Sequence, residues 1–296
     1  MLSIIIPIYN QSAYLERCLK SVSRQTLHDI EIICVDDGST DNCFDIIEKC
    51  KDERFIVLRQ NNQGTGAARN GGMRVAAGDY IGFVDADDWV AENYFESLYA
   101  KAKTENADIC CALKRMEVYN DKMEAAVTSF FDNLKQNQRQ LVFTALHLWS
   151  KIFKSSFVRK HNLLNAHTKR GQDISFCLPA VLLASRISAV EDTEYFYRVR
   201  KNSACHGAIS KSDCQELADI FAIAAQYCVD KEMLQTVVAR MTTMARYYAE
   251  KTNFTGKIAL FQRILDRFPE WRGIGASKIE MSFARMLNLL KQERLR

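Results

Sequence analysis

The first hundred residues alternate between short apolar runs and amphipathic stretches, and this alternation constrains the fold more than any other feature of the chain. Four runs have the β-branched or apolar character of buried strands: 3–6, 30–35, 55–58 and 80–84. Helices are predicted between them, over 11–25, from the Ser39–Asp41 group to about Cys50, and from the glycine-rich segment 63–72 to Gly78. Strands that alternate with helices predict an α/β fold with a mostly parallel central sheet flanked by helices.

Polar residues follow three of these predicted strands at the point where each strand ends. Pro7-Ile-Tyr9-Asn10 follows the first strand, Asp36-Asp37 the second, and Asp85-Ala-Asp87-Asp88 the fourth. Because the carboxyl ends of parallel strands share one edge of a sheet, we expect a single cleft there. Crowded carboxylates repel one another unless a cation lies among them, so the last group predicts a metal ion or a strongly basic ligand. The alternative is an acidic turn in which Asp88 caps a helix that begins near Val90.

Composition and charge exclude several classes of protein. The 40 basic and 36 acidic residues give a net charge of +4, which is too balanced to predict nucleic-acid binding. Ten cysteines are spread over the chain without a Cys-x-x-Cys pair, which indicates small buried hydrophobes in a reducing compartment and argues against a zinc site. The chain starts without signal-peptide features, and no segment approaches the roughly 18–20 apolar residues of a membrane span, so we expect a cytoplasmic protein.

The glycine-rich segment Gly64-Thr-Gly66-Ala-Ala-Arg69 has the look of a phosphate-binding loop but fits neither known pattern. It lacks the Lys-Ser/Thr of a P-loop, and Arg69 occupies the position of the last glycine of a dinucleotide-binding motif. It also follows the third strand, whereas dinucleotide-binding glycines follow the first. A Rossmann-type dehydrogenase is therefore disfavoured.

Four motifs occur in order along residues 2–112, and together they are typical of one family. They are Ser-Ile-Ile-Ile-Pro-Ile-Tyr-Asn (3–10), Val-Asp-Asp-Gly-Ser-Thr-Asp (35–41), Asn-Gln-Gly-Thr-Gly-Ala-Ala-Arg-Asn (62–70) and Tyr-Ile-Gly-Phe-Val-Asp-Ala-Asp-Asp-Trp (80–89). This set resembles glycosyltransferase family 2. The resemblance implies a GT-A fold and an inverting hexosyltransferase of class EC 2.4, which moves a sugar from a nucleotide diphosphate sugar, with a UDP-sugar favoured. The implied acceptor is a glycan or a lipid-linked oligosaccharide in polysaccharide biosynthesis.

The resemblance also implies roles for individual residues. The implied nucleotide-sugar-binding set is Pro7, Tyr9, Asn10, Asp36, Asp37, Arg69 and Asp85. Within this set, Asp36 or Asp37 would bond the base and Asp85 would meet the ribose. Asp87 would hold a Mg²⁺ or Mn²⁺ ion that bridges the two phosphates, which agrees with the oxygen ligands that these ions prefer.

The second half of the chain has weaker patterns. Residues 114–128 are compatible with a β-hairpin, and Gly171-Gln-Asp173 precedes an apolar helix through about Ala184. Family members carry Gly-Glu-Asp at this place, so the resemblance implies that Asp173 is the general base toward the acceptor hydroxyl, although Gln172 departs from the pattern. The alternative is that Asp173 only caps the helix. Tyr195–Ser203 predicts a strand that runs into a basic turn, where Arg198, Arg200 or Lys201 would approach diphosphate oxygens or remain solvated.

The chain from Ser212 onward predicts helices only. The last of them, Ser277–Leu290, is amphipathic and basic, with Ile279, Phe283 and Leu287 on its apolar face. Packing on the body of the protein or on a second copy in a homodimer is favoured for this helix, and peripheral attachment to the inner face of the cell membrane is the alternative.

These observations predict three regions: a nucleotide-sugar-binding half over 1–112, an acceptor-binding half of the same GT-A domain over 113–205, and a C-terminal helical region over 206–296. Two other functions remain open. A nucleotidyltransferase also sets aspartates on an α/β sheet, but it requires a basic glycine-rich loop after the first strand. A catalytically inactive binding subunit is the non-enzymatic alternative, and the intact Asp85, Asp87 and Asp173 argue against it.

Overall fold

The computed structural model describes residues 1–119, 122–129, 146–168 and 171–200, and single positions beyond them, which are Asp213, Glu216, Asp219, Ile220 and Tyr227. The chain divides into two compact units, 1–203 and 204–296, and every element named below belongs to the first. The predicted C-terminal helix Ser277–Leu290, together with Lys201, lies outside the described residues.

The first unit contains nine strands and six helices among its described residues. In chain order they are β1 (Leu2–Ile8), α1 (Ser12–Ser23), β2 (Ile30–Asp36), α2 (Cys43–Cys50), β3 (Phe55–Arg59), α3 (Thr65–Val75), β4 (Tyr80–Phe83), β5 (Trp89–Val90), α4 (Tyr94–Glu105), β6 (Ile109–Tyr119), β7 (Lys122–Ser129), β8 (Lys151–Lys154), α5 (Ser155–Lys160), α6 (Gln172–Leu183) and β9 (Ile187–Val199).

All nine strands form one sheet in the order β3-β2-β1-β4-β8-β6-β9-β5, and β7 pairs with β6. The half from β3 to β4 is parallel throughout. Beyond β4 the sheet is mixed, because β8 runs antiparallel to both β4 and β6 whereas β9 runs parallel to β6. The predicted α/β fold is confirmed, and so is the hairpin predicted over 114–128, which corresponds to the antiparallel pair β6 and β7.

The parallel half positions the strand ends that carry the polar residues. Every residue of β1 and β2 is buried, as expected for strands covered on both faces. The register places Ile8 beside Asp36 and Ile5 beside Phe83, so the carboxyl ends of β1, β2 and β4 meet at one edge. The seven cysteines that the structure describes are free thiols, and six of them are buried, in agreement with their predicted role as small hydrophobes.

The prediction that Asp88 caps a helix beginning near Val90 is wrong. The short strand β5 occupies Trp89–Val90, and α4 begins only at Tyr94, with Asn93 at its N-cap. The Asp88 carboxylate is used by β9, where it accepts hydrogen bonds from the Tyr195 hydroxyl and the Arg198 backbone N–H. Because these partners follow more than a hundred residues later, local sequence patterns do not reveal them.

No helix among the described residues combines the length and the apolar character that crossing a bilayer requires.

Candidate functional site

The candidate site lies beyond the carboxyl ends of β1, β2 and β4, where parallel strands leave a crevice between neighbouring turns. Asp85, Asp87 and Asp88 follow β4, and α3 and α6 contribute one side chain each, Arg69 and Asp173. Asp85, Asp87 and Asp173 each retain between 19% and 26% of their side-chain exposure, so their carboxylates line a solvent-accessible cleft.

Arg69 is the central cation of the site. Its side chain is 3% exposed, and it donates from one terminal nitrogen to Asp85 Oδ1 at 2.7 Å and from the other to Asp173 Oδ1. The guanidinium therefore connects the turn after β4 with the first turn of α6. Burial alone would lower the pKa of Arg69, but the Asp173 and Asp85 carboxylates outweigh it and raise that pKa, so the arginine stays charged.

Close packing of α3 against the sheet and the 165–166 loop fixes the position of Arg69. A Cβ at Gly72 would lie 2.6 Å from Ile5 Cγ2, so glycine permits α3 to approach β1 closely. The Asn70 amide donates to the Asn165 carbonyl at 2.8 Å and accepts from the Asn165 N–H at 2.9 Å. These two reciprocal hydrogen bonds join α3 to the 165–166 segment that precedes α6. They help to keep Arg69 within reach of Asp173.

A second arginine binds the next carboxylate. Arg200 forms an ion pair with Asp87 Oδ2, and it also donates to the Gln11 side-chain oxygen at 3.1 Å. The Nε–H groups of Arg200 and Arg69 are both buried, and neither donates a hydrogen bond within the structure. A buried donor without an acceptor is costly, so the two arginines beside the acidic turn are incompletely satisfied.

Asp88 and Tyr195 link the acidic turn to β9. The Tyr195 hydroxyl donates to Asp88 Oδ2 at 2.8 Å and accepts from the Asp85 N–H at 3.2 Å. Arg198 donates its backbone N–H to Asp88 Oδ1 at 2.8 Å and its Nε–H to the Asp87 carbonyl at 3.0 Å. Asp88 is therefore a buried support for the turn that presents Asp85 and Asp87.

The electrostatics of the turn are dominated by burial and mutual repulsion. Burial raises the pKa of the Asp85 carboxyl, Arg69 partly offsets this effect, and the Asp173 charge adds to it. Burial and the Asp85 charge likewise raise the pKa of Asp87, against the influence of Arg200. Burial, Asp87 and Asp85 raise the pKa of Asp88 well above its usual range. The arginines thus compensate only part of the negative charge.

Asp36 and Asp37 both stabilise the loops around the cleft. Asp37 accepts hydrogen bonds from the Gln60 side chain at 2.7 Å and from the backbone N–H groups of Gln63 and Gly64 at 3.0 and 2.8 Å. Asp36 Oδ1 accepts from the Ser39 N–H at 2.9 Å. Asp36 Oδ2 is buried and accepts no hydrogen bond in the structure, although the exposed Arg59 lies 3.1 Å away as an ion-pair partner. It is the one oxygen of the two carboxylates that accepts no hydrogen bond.

The three predicted residues after the first strand do not form a common wall. Pro7 is a buried residue inside β1, in register with Val35. Tyr9 is 45% exposed at the rim of the cleft. Asn10 adopts a φ of 51°, a left-handed conformation that Asn tolerates, and its side-chain oxygen accepts from the Thr40 N–H at 2.8 Å. Tyr9 therefore has the surface a ligand would contact, whereas Asn10 organises the neighbouring loop.

Asp173 lies in the first turn of α6 and does not cap it. The N-cap is Gly171, which has a φ of 77°, and no side chain caps this helix end. The capping alternative for Asp173 is therefore wrong, and its carboxylate points to Arg69 instead.

The carboxylates fit a divalent cation. Their oxygen donors suit Mg²⁺ or Mn²⁺, and the uncompensated charge of the turn is of the kind that such an ion relieves. Arg200 occupies Asp87 Oδ2, so Oδ1 is the oxygen through which Asp87 would bind the ion. The described residues contain no group of three acidic, histidine or cysteine ligands, so an ion held by Asp87 would need further ligands from the substrate and from water.

The structure brings together four of the predicted residues, Arg69, Asp85, Asp87 and Asp173, and it adds Arg200 and Tyr195 to them. Arg200 was predicted near phosphate oxygens as one of three basic candidates, whereas its pairing with Asp87 was not. Tyr195 was predicted only as part of a strand. A tyrosine within an aromatic run such as Tyr195-Phe-Tyr197 gives no indication from sequence that its hydroxyl bonds to the acidic turn.

Comparisons with known proteins agree with this arrangement. Residues 3–162 match the profile of glycosyl transferase family 2. The chain is 32% identical over 217 residues to the glycosyltransferase GlyA of Streptococcus pneumoniae, which covers 68% of this chain and 31% of that protein. It is 34% identical over 212 residues to the poly(ribitol-phosphate) beta-glucosyltransferase of Bacillus spizizenii, covering 68% of this chain and 32% of that protein. The chain thus spans about a third of the length of these two curated relatives.

A solved structure shares the fold. Residues 1–349 of Staphylococcus aureus TarS, crystallised in complex with UDP-GlcNAc, superimpose with a TM-score of 0.77 over 90% of this chain and 80% of that chain. The identity is 22%, so this similarity concerns the fold. Since the family profile covers more than half of the sequence, and the motifs that define it surround one acidic cleft, the chain belongs to glycosyltransferase family 2.

Proposed function

We propose that this protein is an inverting, divalent-metal-dependent glycosyltransferase that moves a sugar from a UDP-sugar to a glycan or lipid-linked acceptor. The observation that carries the proposal is the composition of the cleft. Three partly exposed carboxylates, Asp85, Asp87 and Asp173, lie beside two guanidinium groups, of which Arg69 is buried and Arg200 is partly exposed. Carboxylates can bind a metal ion or accept a proton, and guanidinium groups can bind phosphate.

The donor side is formed by the arginines and the turn after β4. A nucleoside diphosphate would approach the partly exposed Arg200 beside Asp87, because a guanidinium group suits phosphate oxygens. Asp36 Oδ2 is the carboxylate oxygen best suited to bond the base, because it accepts no hydrogen bond in the structure whereas the Asp37 oxygens already hold the loop. The UDP-GlcNAc in the TarS complex supports a uridine donor.

Asp87 would hold the Mg²⁺ or Mn²⁺ ion, and a bound ion supplies neutralisation of the charge that develops on the departing diphosphate. Arg200, paired with Asp87, orients this carboxylate. Asp85 lies between Arg69 and the cleft, where its second oxygen would meet the ribose.

Asp173 is the proposed general base. In the transfer, the acceptor oxygen forms a bond to the anomeric carbon as the bond to the nucleoside diphosphate breaks, and the hydroxyl proton passes to the Asp173 carboxylate. Arg69 keeps one oxygen of Asp173 in place, and the other oxygen remains for the hydroxyl. A displacement of this kind inverts the anomeric configuration.

The acceptor is the less constrained part of the proposal. The printed name of the Bacillus spizizenii relative, which acts on a poly(ribitol-phosphate), supports a cell-surface glycan as the acceptor class. Two further predictions depend on residues 204–296. They are that the protein acts on its acceptor at the inner face of the membrane, and that it forms a homodimer.

The test combines donor turnover with two substitutions. UDP-sugars, screened with Mn²⁺ by mass spectrometry, should include one that the protein converts to UDP. With that donor, Asp173→Asn should retain UDP binding within about twofold and lose turnover by a factor of about 100–10,000. Asp87→Asn should abolish the dependence of UDP binding on Mn²⁺. Asp45→Asn, an exposed carboxylate on α2, is the matched control and should behave as wild type.

Two outcomes would overturn the proposal. Release of no nucleoside diphosphate from any donor with Mg²⁺ or Mn²⁺ would favour an inactive binding subunit. Full turnover by Asp173→Asn would remove its role as the base and leave only its ion pair with Arg69.

A further inference from the structure

A basic groove runs along one face of α1, between this helix and β5, and nothing in the proposed catalytic chemistry uses it. Its volume is about 590 Å³. Four cationic side chains line it, Arg17, Lys20, Arg24 and Arg198, together with the aromatic rings of Tyr14 and Trp89. We refer to it as the α1 groove.

The α1 groove begins at the catalytic turn and leads away from it. Arg198 stands at the near end, because its Nε–H donates to the carbonyl oxygen of Asp87. Tyr14 and Arg17 of α1 and Arg24 at its C-cap follow one another at intervals of three and seven residues, which places them along one side of the helix. At a rise of about 1.5 Å per residue, Tyr14 and Arg24 are about 15 Å apart along the axis. A chain with one end in the site therefore has several cations along its path.

The charge of the α1 groove favours an anion. Its lining contains four cations and two carboxylates, Glu16 and Glu92, and Glu16 is already paired with Lys20 at 2.5 Å. Three of the four cations are arginines, whose planar groups bind phosphate and carboxylate along two parallel N–H donors.

Aromatic rings order two of these arginines. The Arg17 guanidinium lies 3.5 Å from the Trp89 ring centre, and the opposite side of Trp89 stacks on Phe196 at 5.3 Å. Arg198 lies 4.7 Å from the ring centre of Tyr14 and 5.0 Å from that of Trp89. Stacking uses the face of a guanidinium group, whereas anions bind along its edge, so this arrangement is compatible with anion binding. Because the rings already order the two arginine side chains, binding an anion costs less side-chain entropy.

The shape of the α1 groove distinguishes it from a membrane-binding surface. Membrane-surface helices bury large apolar side chains in the lipid. The exposed large apolar residues of the described part of the chain are Tyr9, Val75, Tyr119 and Leu164, and none of them lines the groove. A concave, basic and aromatic channel suits an extended anionic chain better than a flat lipid surface.

We propose that the α1 groove binds an acceptor chain that carries phosphodiester groups, and that it positions the end of this chain at the catalytic carboxylates. This inference rests on the proposed function, because it names the chemical class of the acceptor for the same site. The groove would recognise the repeated negative charges, and the cleft would receive the terminal hydroxyl.

The test is direct binding of a fluorescently labelled glycerol phosphate oligomer of about eight units, measured by anisotropy without any donor. We expect binding that weakens as salt rises from 50 to 200 mM. Substituting Arg17→Gln and Arg24→Gln together should weaken it about three- to tenfold, the effect of losing two exposed charge contacts. The matched control removes two exposed cations elsewhere, Arg74→Gln on α3 and Lys160→Gln on α5, and should change the affinity by less than twofold.

Because Arg17 packs on Trp89, a second variant leaves this contact intact: Arg24→Glu changes an exposed residue near the far end of the groove. Equal affinities for the wild type and both groove variants would overturn the proposal, as would an equal loss in the control. Equally tight binding of poly-glutamate would overturn the phosphodiester class, and groove-dependent binding of phosphatidylglycerol vesicles in preference to the oligomer would make the surface a membrane contact.

These measurements separate the two proposals. Oligomer binding needs no transfer activity, so a protein that binds the oligomer through the α1 groove but converts no donor would contradict the proposed function and retain the groove. A protein that converts a UDP-sugar but does not bind the oligomer would contradict the groove and retain the function.

Discussion

At the scale of single residues, Arg69 combines structural and catalytic requirements in one side chain. A buried arginine is costly unless both its charge and its donors are satisfied, and Asp85 and Asp173 satisfy two of its nitrogens. The same contacts hold the proposed general base at a fixed position relative to the donor side. Arg69 is therefore a positioning residue, since it acts through Asp85 and Asp173.

Substituting Arg69→Lys tests this role. A single ammonium cannot bond both carboxylates as the guanidinium fork does. We expect turnover to fall about 10- to 100-fold, the effect of a misplacement near 1 Å. The acid limb of the pH dependence of kcat/KM should also move to higher pH, because burial raises the pKa of Asp85 and the cation that offsets it is weakened. Steady-state kinetics between pH 5 and 9 measure both effects.

Arg54→Lys is the matched control for this substitution. Arg54 also donates from two nitrogens to one carboxylate, at 3.1 and 2.6 Å from the Asp52 oxygens, but it lies outside the cleft. The turnover of the Arg54→Lys variant should remain within about twofold of wild type. An Arg69→Lys enzyme with normal turnover and an unshifted pH profile would show that the two contacts of Arg69 are not needed for catalysis.

At the scale of elements, the position of α3 decides whether Arg69 reaches Asp173. A Cβ at Gly66 would lie 2.3 Å from the Ala166 carbonyl oxygen, which belongs to the backbone of the segment leading to α6. A Cβ at Gly71, one and a half turns later, would have only the end of the Gln60 side chain at 3.2 Å as a close neighbour. The two glycines differ in what surrounds them, although both lie within one helix.

The substitutions Gly66→Ala and Gly71→Ala should therefore have opposite effects on stability. Alanine in a helix is favoured over glycine by about 0.5–1 kcal/mol, so Gly71→Ala should leave the free energy of unfolding unchanged or raise it by up to that amount. Gly66→Ala should lower it by about 1–3 kcal/mol, the usual cost of overpacking, and should also reduce turnover. Urea denaturation with matched activity assays would decide the matter, and equal effects of the two substitutions would show that α3 does not pack as described.

The elements of the parallel half were predictable from sequence because each of them is locally determined. Strands covered on both faces are apolar throughout, as β1 and β2 are, and the helices between them show an apolar stripe. The structure changes the predicted bounds by a few residues, and α3 ends at Val75 rather than Gly78. Beyond β4, apart from the hairpin of β6 and β7, the strands pair with partners distant in sequence, and the antiparallel direction of β8 has no local signal.

The candidate site was predictable in its carboxylates but not in their partners. The end of a predicted strand placed Asp85 and Asp87 at the sheet edge, whereas Asp173 followed only from the resemblance to the Gly-Glu-Asp of family members. The ion pairs of Asp87 with Arg200 and of Asp173 with Arg69 join residues about a hundred positions apart. Such pairs depend on how β9 and α6 pack, and a single sequence contains no record of that packing.

At the scale of the whole molecule, the acidic turn lowers the stability of the fold at neutral pH. The pKa of Asp87 is raised by burial and by the Asp85 charge, which means that the fold prefers its protonated form. Such a carboxyl stabilises the fold fully only below its ordinary pKa of 3.8, and this contribution is lost as the pH rises through the folded-state pKa. At neutral pH the ionised Asp87 therefore lowers stability, as expected for a group kept for binding.

Asp87→Asn should reveal this cost, because asparagine is close in shape to the neutral carboxyl. Without metal, the variant should melt a few degrees above wild type at pH 7.5, and the difference should shrink toward pH 4. Addition of Mn²⁺ and UDP should reverse the order. Ligands at about 100 times their Kd stabilise the wild type by about 2.7 kcal/mol, and the variant should gain much less. Thermal denaturation at both pH values, with and without ligands, measures all four states.

Asp192→Asn is the control for this comparison, since Asp192 is an exposed residue of β9 whose carboxylate accepts a hydrogen bond from Ser97 of α4 at 3.1 Å. Its melting temperature should follow wild type at both pH values, and Mn²⁺ with UDP should stabilise it to the same extent. An Asp87→Asn protein that is less stable than wild type at pH 7.5 without metal would show that the Arg200 ion pair outweighs burial. An undiminished response to Mn²⁺ and UDP would show that the ion is bound elsewhere.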